Sequence, residues 1–297
     1  MTSKARRFRE LLQAPEILVA PGVYDGFSAR IVAAAGFKAA TVSGAGVSES
    51  HLGWADKGIM GFQENLQACR SIAGCVDIPM RADADTGYGN AVNVHFTVRG
   101  FEDAGLASIM IEDQVWPKRC GHMKGKDVIP AAEMVQKVKA AADARRDPDF
   151  VVMARTDAAA ITGVNDVIDR LNMYAEAGAD ALYADALLSA ADIERVARNV
   201  PRPYVCNMGF GLQPRSTTPL LTAKQLQGMG VAMVTYPRML SSAAVRGMLN
   251  AIAVFKEGMF DDAPKPRPEF QVNFTELSEL MGLPVLDAME QRYKAGE

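Results

Sequence analysis

Long hydrophobic runs are missing from this sequence. No stretch reaches the roughly 18 uninterrupted apolar residues of a membrane span, and Met1-Thr2-Ser3-Lys4-Ala5-Arg6-Arg7 leads into a polar helical pattern rather than an apolar signal core. A cytoplasmic location and no membrane partner are therefore expected. Cysteine is scarce. Cys69, Cys75, Cys120 and Cys206 contain no close metal-ligand pair, as expected of free thiols in a reducing compartment. Histidine is scarcer still. His51, His95 and His122 fall into neither a Ser-His-Asp nor a zinc-binding spacing; His95 lies in a helical run and reads as structural, whereas His51 follows a glycine-rich loop and is open to either reading. Basic excess is absent as well: the formal net charge is −3, which argues against nucleic acid as a partner.

What is present is a large apolar fraction in a repeating pattern. With 297 residues, 49% of them hydrophobic, the chain can bury one large core or two modest ones. Short apolar or β-branched runs at 17–20, 39–43, 78–83, 107–113, 150–156, 181–185, 204–207 and 231–236 alternate with longer segments of helical period. Eight such repeats predict a (β/α)8 barrel over residues 1–260. A doubly wound open sheet comes second, because no G-x-G-x-x-G follows the first strand. Ala-Gly pairs at 35–36, 104–105 and 177–178 stand just before strands, where glycine ends helices. The sixteen methionines read mostly as flexible core filler. After a helix at 241–258, prolines 264, 266 and 268 make a stiff connector, and residues 261–297 form a tail with short helices near 275–281 and 284–293. A closed barrel does not need them, so they are expected to pack on or exchange with a neighbouring subunit.

In such a barrel, chemistry sits at the C-terminal strand ends. The third strand ends Asp83-Ala84-Asp85, and residues two apart face the same way. Together with Glu112 and Asp113 after strand four they suit a hard cation such as Mg2+; pairing with Arg81, Arg155 or the loop cations is the alternative. Arg155 ends strand five beside Asp157, as a fork for a substrate carboxylate or as a structural ion pair. The turn Ser43-Gly44-Ala45-Gly46 offers backbone N–H groups to a carboxylate. Pro117-Lys118-Arg119-Cys120-Gly121-His122-Met123-Lys124-Gly125-Lys126 reads as a loop built to receive an anion and close over it, its thiolate favoured by neighbouring cations. Asn207, followed by Arg215, Ser216, Thr217 and Thr218, reads as a second half of the pocket or as surface.

Lys118-Arg119-Cys120-Gly121-His122, taken with Asp83-Ala84-Asp85-Thr86-Gly87-Tyr88-Gly89, Ile111-Glu112-Asp113-Gln114 and Ala154-Arg155-Thr156-Asp157, resembles the isocitrate lyase and phosphoenolpyruvate mutase superfamily, lyase branch. The resemblance implies a barrel with a helix exchanged between subunits, as a homotetramer or dimer, Mg2+ dependence with Mn2+ as a substitute, and a small carboxylate substrate. It implies Asp85 as direct metal ligand, with Asp83 and Glu112 holding metal-bound waters. It assigns catalysis to Cys120, as general acid, with Arg155, Lys118 and His122, and substrate binding to Ser43, Gly44, Ala45, Asp56, Arg119, Gly121, Asp185 and Asn207. The implied reaction cleaves a carbon–carbon bond of a substituted malate or 2-methylisocitrate, giving a 2-oxo acid such as pyruvate and a carboxylic acid. Decarboxylation or hydrolysis of oxaloacetate, and a non-catalytic metabolite-binding barrel, are the other readings. Three departures favour a dicarboxylate such as 2,3-dimethylmalate: the segment after Asn207 lacks the usual polar residues, Asp185 stands where Glu is common, and Thr41 replaces a common tyrosine. Arg215 offers another route to a third-carboxylate site.

Overall fold

The computed structural model describes residues 2–294. Eight parallel strands close in sequence order: β1 (Leu18–Val23), β2 (Ala40–Val42), β3 (Met80–Asp83), β4 (Ser108–Glu112), β5 (Val151–Thr156), β6 (Ala181–Ala184), β7 (Tyr204–Asn207) and β8 (Met233–Tyr236). All eight expected runs are strands, and β8 pairs back onto β1 with Leu18 opposite Met233. The closed ring excludes the open-sheet alternative.

Alternation along each strand sorts its residues between two hydrophobic layers. Val42, Ala82, Ile109, Ile111, Val152, Ala154 and Leu182 belong to the layer between strands and helices. Ala20, Met110, Val151, Met153, Ala181, Tyr183, Val205 and Met233 fill the bore. Phe8 and Leu12, on one face of the N-terminal helix Lys4–Gln13, join this inner cluster and are almost fully buried. Arg9 of the same helix reaches Asp149 and Asp180, just before β5 and β6. The helix therefore caps the N-terminal end of the bore, leaving the opposite end for chemistry.

The described chain divides after Leu240 into two compact units. The long helix Met239–Gly258 contains no buried residue. The second unit continues through helices Phe274–Leu280 and Leu283–Tyr293, the latter started by Gly282 in a left-handed conformation with proline in its first turn. Its exposed apolar side chains include Met248, Ile252, Phe255 and Leu286. Among the described residues no helix is long and apolar enough to cross a membrane.

Asp113 is a correction to the sequence reading. Glu112 faces the bore, so Asp113 faces outward, where it accepts hydrogen bonds from Tyr174 Oη at 2.8 Å and the Asp157 backbone N–H at 3.0 Å and pairs with Arg170 at 3.2 Å. It ties β4, β5 and the helix Val164–Glu176 together rather than joining the acids of the mouth. Asp113→Ala leaves the Tyr174 hydroxyl and the Asp157 N–H without their acceptor, while Arg170 keeps Asp166, so urea unfolding should show a loss of about 1–3 kcal/mol; a loss under about 0.5 kcal/mol would show that these bonds carry no stability.

Candidate active site

At the C-terminal strand ends, Ser43, Ala45, Asp56, Asp83, Lys118, Cys120, Gly121, His122, Arg155, Asp185 and Asn207 line a cavity of about 40 Å3. Gly44 lies directly behind, its Cα placed so that a Cβ would come 3.1 Å from Asp83 Oδ2. Arg119 alone of the loop residues assigned to substrate turns away: its guanidinium donates to the Lys124 carbonyl, and Gln114 clamps its backbone N–H and C=O. His51 is exposed on the segment Ser48–Leu52, and His95 lies half-buried on the helix Ala91–Asp103, so neither joins the cavity.

Backbone bonds and glycine set the loop down on the mouth. The Cys120 N–H donates to the Asp56 carbonyl, and Lys126 Nζ donates to the Gly121 carbonyl. A Cβ on Gly121 would lie 2.5 Å from Arg155 Nη2 and 2.6 Å from Asp157 Oδ1, so only glycine permits this approach. His122 faces Thr217 Oγ1 at 2.6 Å and the Asn207 amide at 3.3 Å, bringing the loops after β4 and β7 together.

Lys118 is buried, with its ammonium 2.6 Å from both Asp56 Oδ1 and Asp85 Oδ1. Burial works against its charge, but Asp85 and Asp56 outweigh that and raise its pKa well above the usual value. Arg155 is likewise committed: it meets Asp157 at 2.7 Å, Asp185 at 2.8 Å and Glu112 at 3.1 Å. The alternative of a structural ion pair thus describes its side chain better than a free fork. Against the cost of burial, Arg155, His122 and Arg215 hold the Asp185 carboxyl below its ordinary range.

The acids are unevenly satisfied. Asp85 stands just past β3 with φ 48°, where strict alternation with Asp83 no longer applies. Although Asp85 Oδ1 contacts Lys118, neither carboxylate oxygen has a hydrogen bond of acceptable geometry, and Glu112 Oε1 has none either. Burial, with the Asp83 charge adding to it against Lys118, pushes Asp85 up to about 7; burial also raises Glu112 well above its ordinary value. Buried acids with orphaned oxygens are short of positive charge. Among the described residues no three His, Cys, Asp or Glu side chains converge closely enough for direct metal ligation. This set therefore fits a hard ion that keeps most of its waters and takes one or two carboxylates directly.

Cys120 departs from expectation in its charge. Burial, then the Asp56 carboxylate, raises the thiol pKa; the His122 backbone and Arg238 oppose this without reversing it. Lys118 is spent on two acids, so Cys120 rests as a protonated thiol, a donor rather than a nucleophile. Arg238, absent from the sequence reading, lines the cavity, pairs with Glu49 and lies 3.9 Å from Cys120 Sγ. It sits two residues past the end of β8, where the rule that strand-final polar residues carry function would have found it. Arg81, Tyr183 and Arg215 also line the cavity.

Residues 8–255 match the family model described as phosphoenolpyruvate phosphomutase. The chain is similar to 2,3-dimethylmalate lyase of Eubacterium barkeri, 38% identical over 98% of this chain and 99% of that relative. It is also 38% identical to 2-methylisocitrate lyase of Bacillus subtilis (strain 168), over 86% and 85% of the two chains. Among solved structures, oxaloacetate acetylhydrolase in complex with 3,3-difluorooxalacetate superposes with a TM-score of 0.88 and 31% identity, covering 97% and 95%. Barrel, loop and mouth acids together with these matches place the chain in the phosphoenolpyruvate phosphomutase family, within the isocitrate lyase and PEP mutase superfamily.

Proposed function

We propose that this protein is a Mg2+-dependent carbon–carbon lyase that releases a 2-oxo acid from a substituted malate, with Cys120 as general acid. The observation that carries the reading is the half-buried Cys120 thiol, 3.9 Å from Arg238, on a loop closed over a cavity beside buried acids with orphaned oxygens. Its relatives named 2,3-dimethylmalate lyase and 2-methylisocitrate lyase support the reaction class.

Asp85 would hold the cation directly, with Asp83 and Glu112 on its waters. When bound, the ion supplies positive charge that favours the oxo-acid form of the product. Ser43, Gly44 and Ala45 hold the carboxylate of the oxo-acid half, and the Arg155 network fixes Asp185 at the cavity wall. The 2-hydroxyl gives its proton to solvent as its C–O bond becomes a carbonyl and the C2–C3 bond breaks, and the Cys120 thiolate formed in the next step regains a proton from solvent when the loop opens. The electron pair left on C3 takes the Cys120 proton, which completes the carboxylic acid product. Lys118 and His122 hold the loop in place and exclude water from that carbanion. Apolar side chains exposed on residues 241–297 suit contact with a second copy of the chain, so light scattering should give a mass that is a multiple of 31.9 kDa; a monomer at every concentration would count against helix exchange.

Cys120→Ser should lower turnover by about 10²–10⁴-fold while oxalate and Mg2+ affinities stay within about twofold of wild type. Unchanged turnover would remove the acid role. Mg2+ must displace a proton from a carboxyl held near 7, so its affinity should weaken about tenfold for each pH unit below 7 and level off above it; titrations at pH 6, 7 and 8 that give one affinity would remove Asp85 as the ligand. Mass spectrometry of products from 2,3-dimethylmalate, 2-methylisocitrate and oxaloacetate, with Mg2+ and with EDTA, tests the activity. Preferred cleavage of the tricarboxylate, or hydrolysis of oxaloacetate alone, would replace the malate reading.

A further inference from the structure

Arg81 lies where a barrel core has no evident use for a cation. It is 3% exposed, on the inward face of β3 one alternation below Asp83, among the Met110, Met153 and Tyr183 side chains of the bore. Its Nη1 donates only to sulfur, Met110 Sδ at 2.6 Å and Met153 Sδ at 3.5 Å, and its Nε has no partner. No carboxylate pairs with it among the described residues. Its register partners are Thr41 on β2 and Ser108 on β4, and their hydroxyl oxygens are buried and unsatisfied too. Three adjacent strands thus carry three orphaned polar groups at one level.

A buried guanidinium without a counter-charge destabilises a fold, and a well-packed apolar residue of similar volume would be more stable there. Function is the reason to retain it. Arg81, Met110 and Tyr183 line the same cavity as Cys120 and Ser43, so Arg81 is within reach of a ligand from the mouth. The other cations there are engaged: Lys118 by Asp56 and Asp85, Arg155 by three acids, Arg238 by Glu49. Arg215 touches the oxygens of Asn207, at 3.3 and 3.5 Å.

We infer that Arg81 is a specificity-determining residue at the cavity floor that takes the second carboxylate of a dicarboxylate ligand. The assignment rests on the malate reading for its substrate class. A carboxylate on the guanidinium fork replaces sulfur with charged oxygen acceptors, while the backbone of residues 43–45 holds the first carboxylate.

The test compares malate with lactate, the same 2-hydroxy acid with and without a second carboxylate, by calorimetric titration in Mg2+. Wild type should prefer malate, and Arg81→Met should weaken malate about tenfold or more while lactate stays within about twofold. Its melting temperature should rise, which a purely structural arginine would not give. Equal affinities of wild type for the two acids, or an unchanged or equally lowered affinity for both in the variant, overturn the assignment. If Arg81→Met does not fold, Arg81→Gln is read by the same comparison. Binding is read without turnover, so a chain that prefers malate through Arg81 but cleaves no malate fails the lyase reading and keeps this one.

Discussion

The Lys118 ammonium, shared between Asp56 and Asp85 at 2.6 Å each, is the interaction on which the mouth of this barrel depends. It joins the loop after β4 to the segments after β2 and β3, in a place where none of the three charges reaches water. Breaking such a cluster by removing one member strands the others, at a cost of about 3–5 kcal/mol. The loop position that sets Cys120 over the cavity follows from that anchor and from the backbone bond between Cys120 and Asp56.

Charge balance orders the remaining residues. Arg155 meets Asp157, Asp185 and one oxygen of Glu112, so Asp85 and the second Glu112 oxygen stay under-satisfied on one side, while Arg81 is under-satisfied on the other. Positive charge is missing at the upper acids and negative charge at the lower guanidinium. On the proposed function, a cation together with a dicarboxylate would supply both. The same burial that raises the carboxyls also raises the Cys120 thiol, so one physical cause favours the protonated form of both.

Stability and chemistry are kept apart by strand alternation. Glu112 and Asp113 are neighbours in the chain yet face opposite layers, one lining the mouth and the other tied to Arg170 and Tyr174. Small residues make the mouth tight: Gly121 lets the loop backbone meet Arg155, and Gly44 lies against Asp83.

The eight strands, their parallel order and many of the residues at their C-terminal ends are legible in the sequence alone, because apolar period, glycine placement and strand-final polar residues are local patterns. The motif at Cys120 and the acids at 83, 85 and 112 were legible for the same reason. Which acids take which cations is set in space, since Arg155 and Lys118 find their partners on other strands and loops. Tertiary structure also decided that the thiol stays protonated: sequence neighbours promised a thiolate, but burial and prior pairing of Lys118 reversed the balance. Arg119 turning outward, Arg238 meeting Glu49 across 189 residues and Arg81 left without a counter-ion belong to the same class. Electrostatic pairing depends on distance in space and on exclusion of water, and neither is written in local sequence.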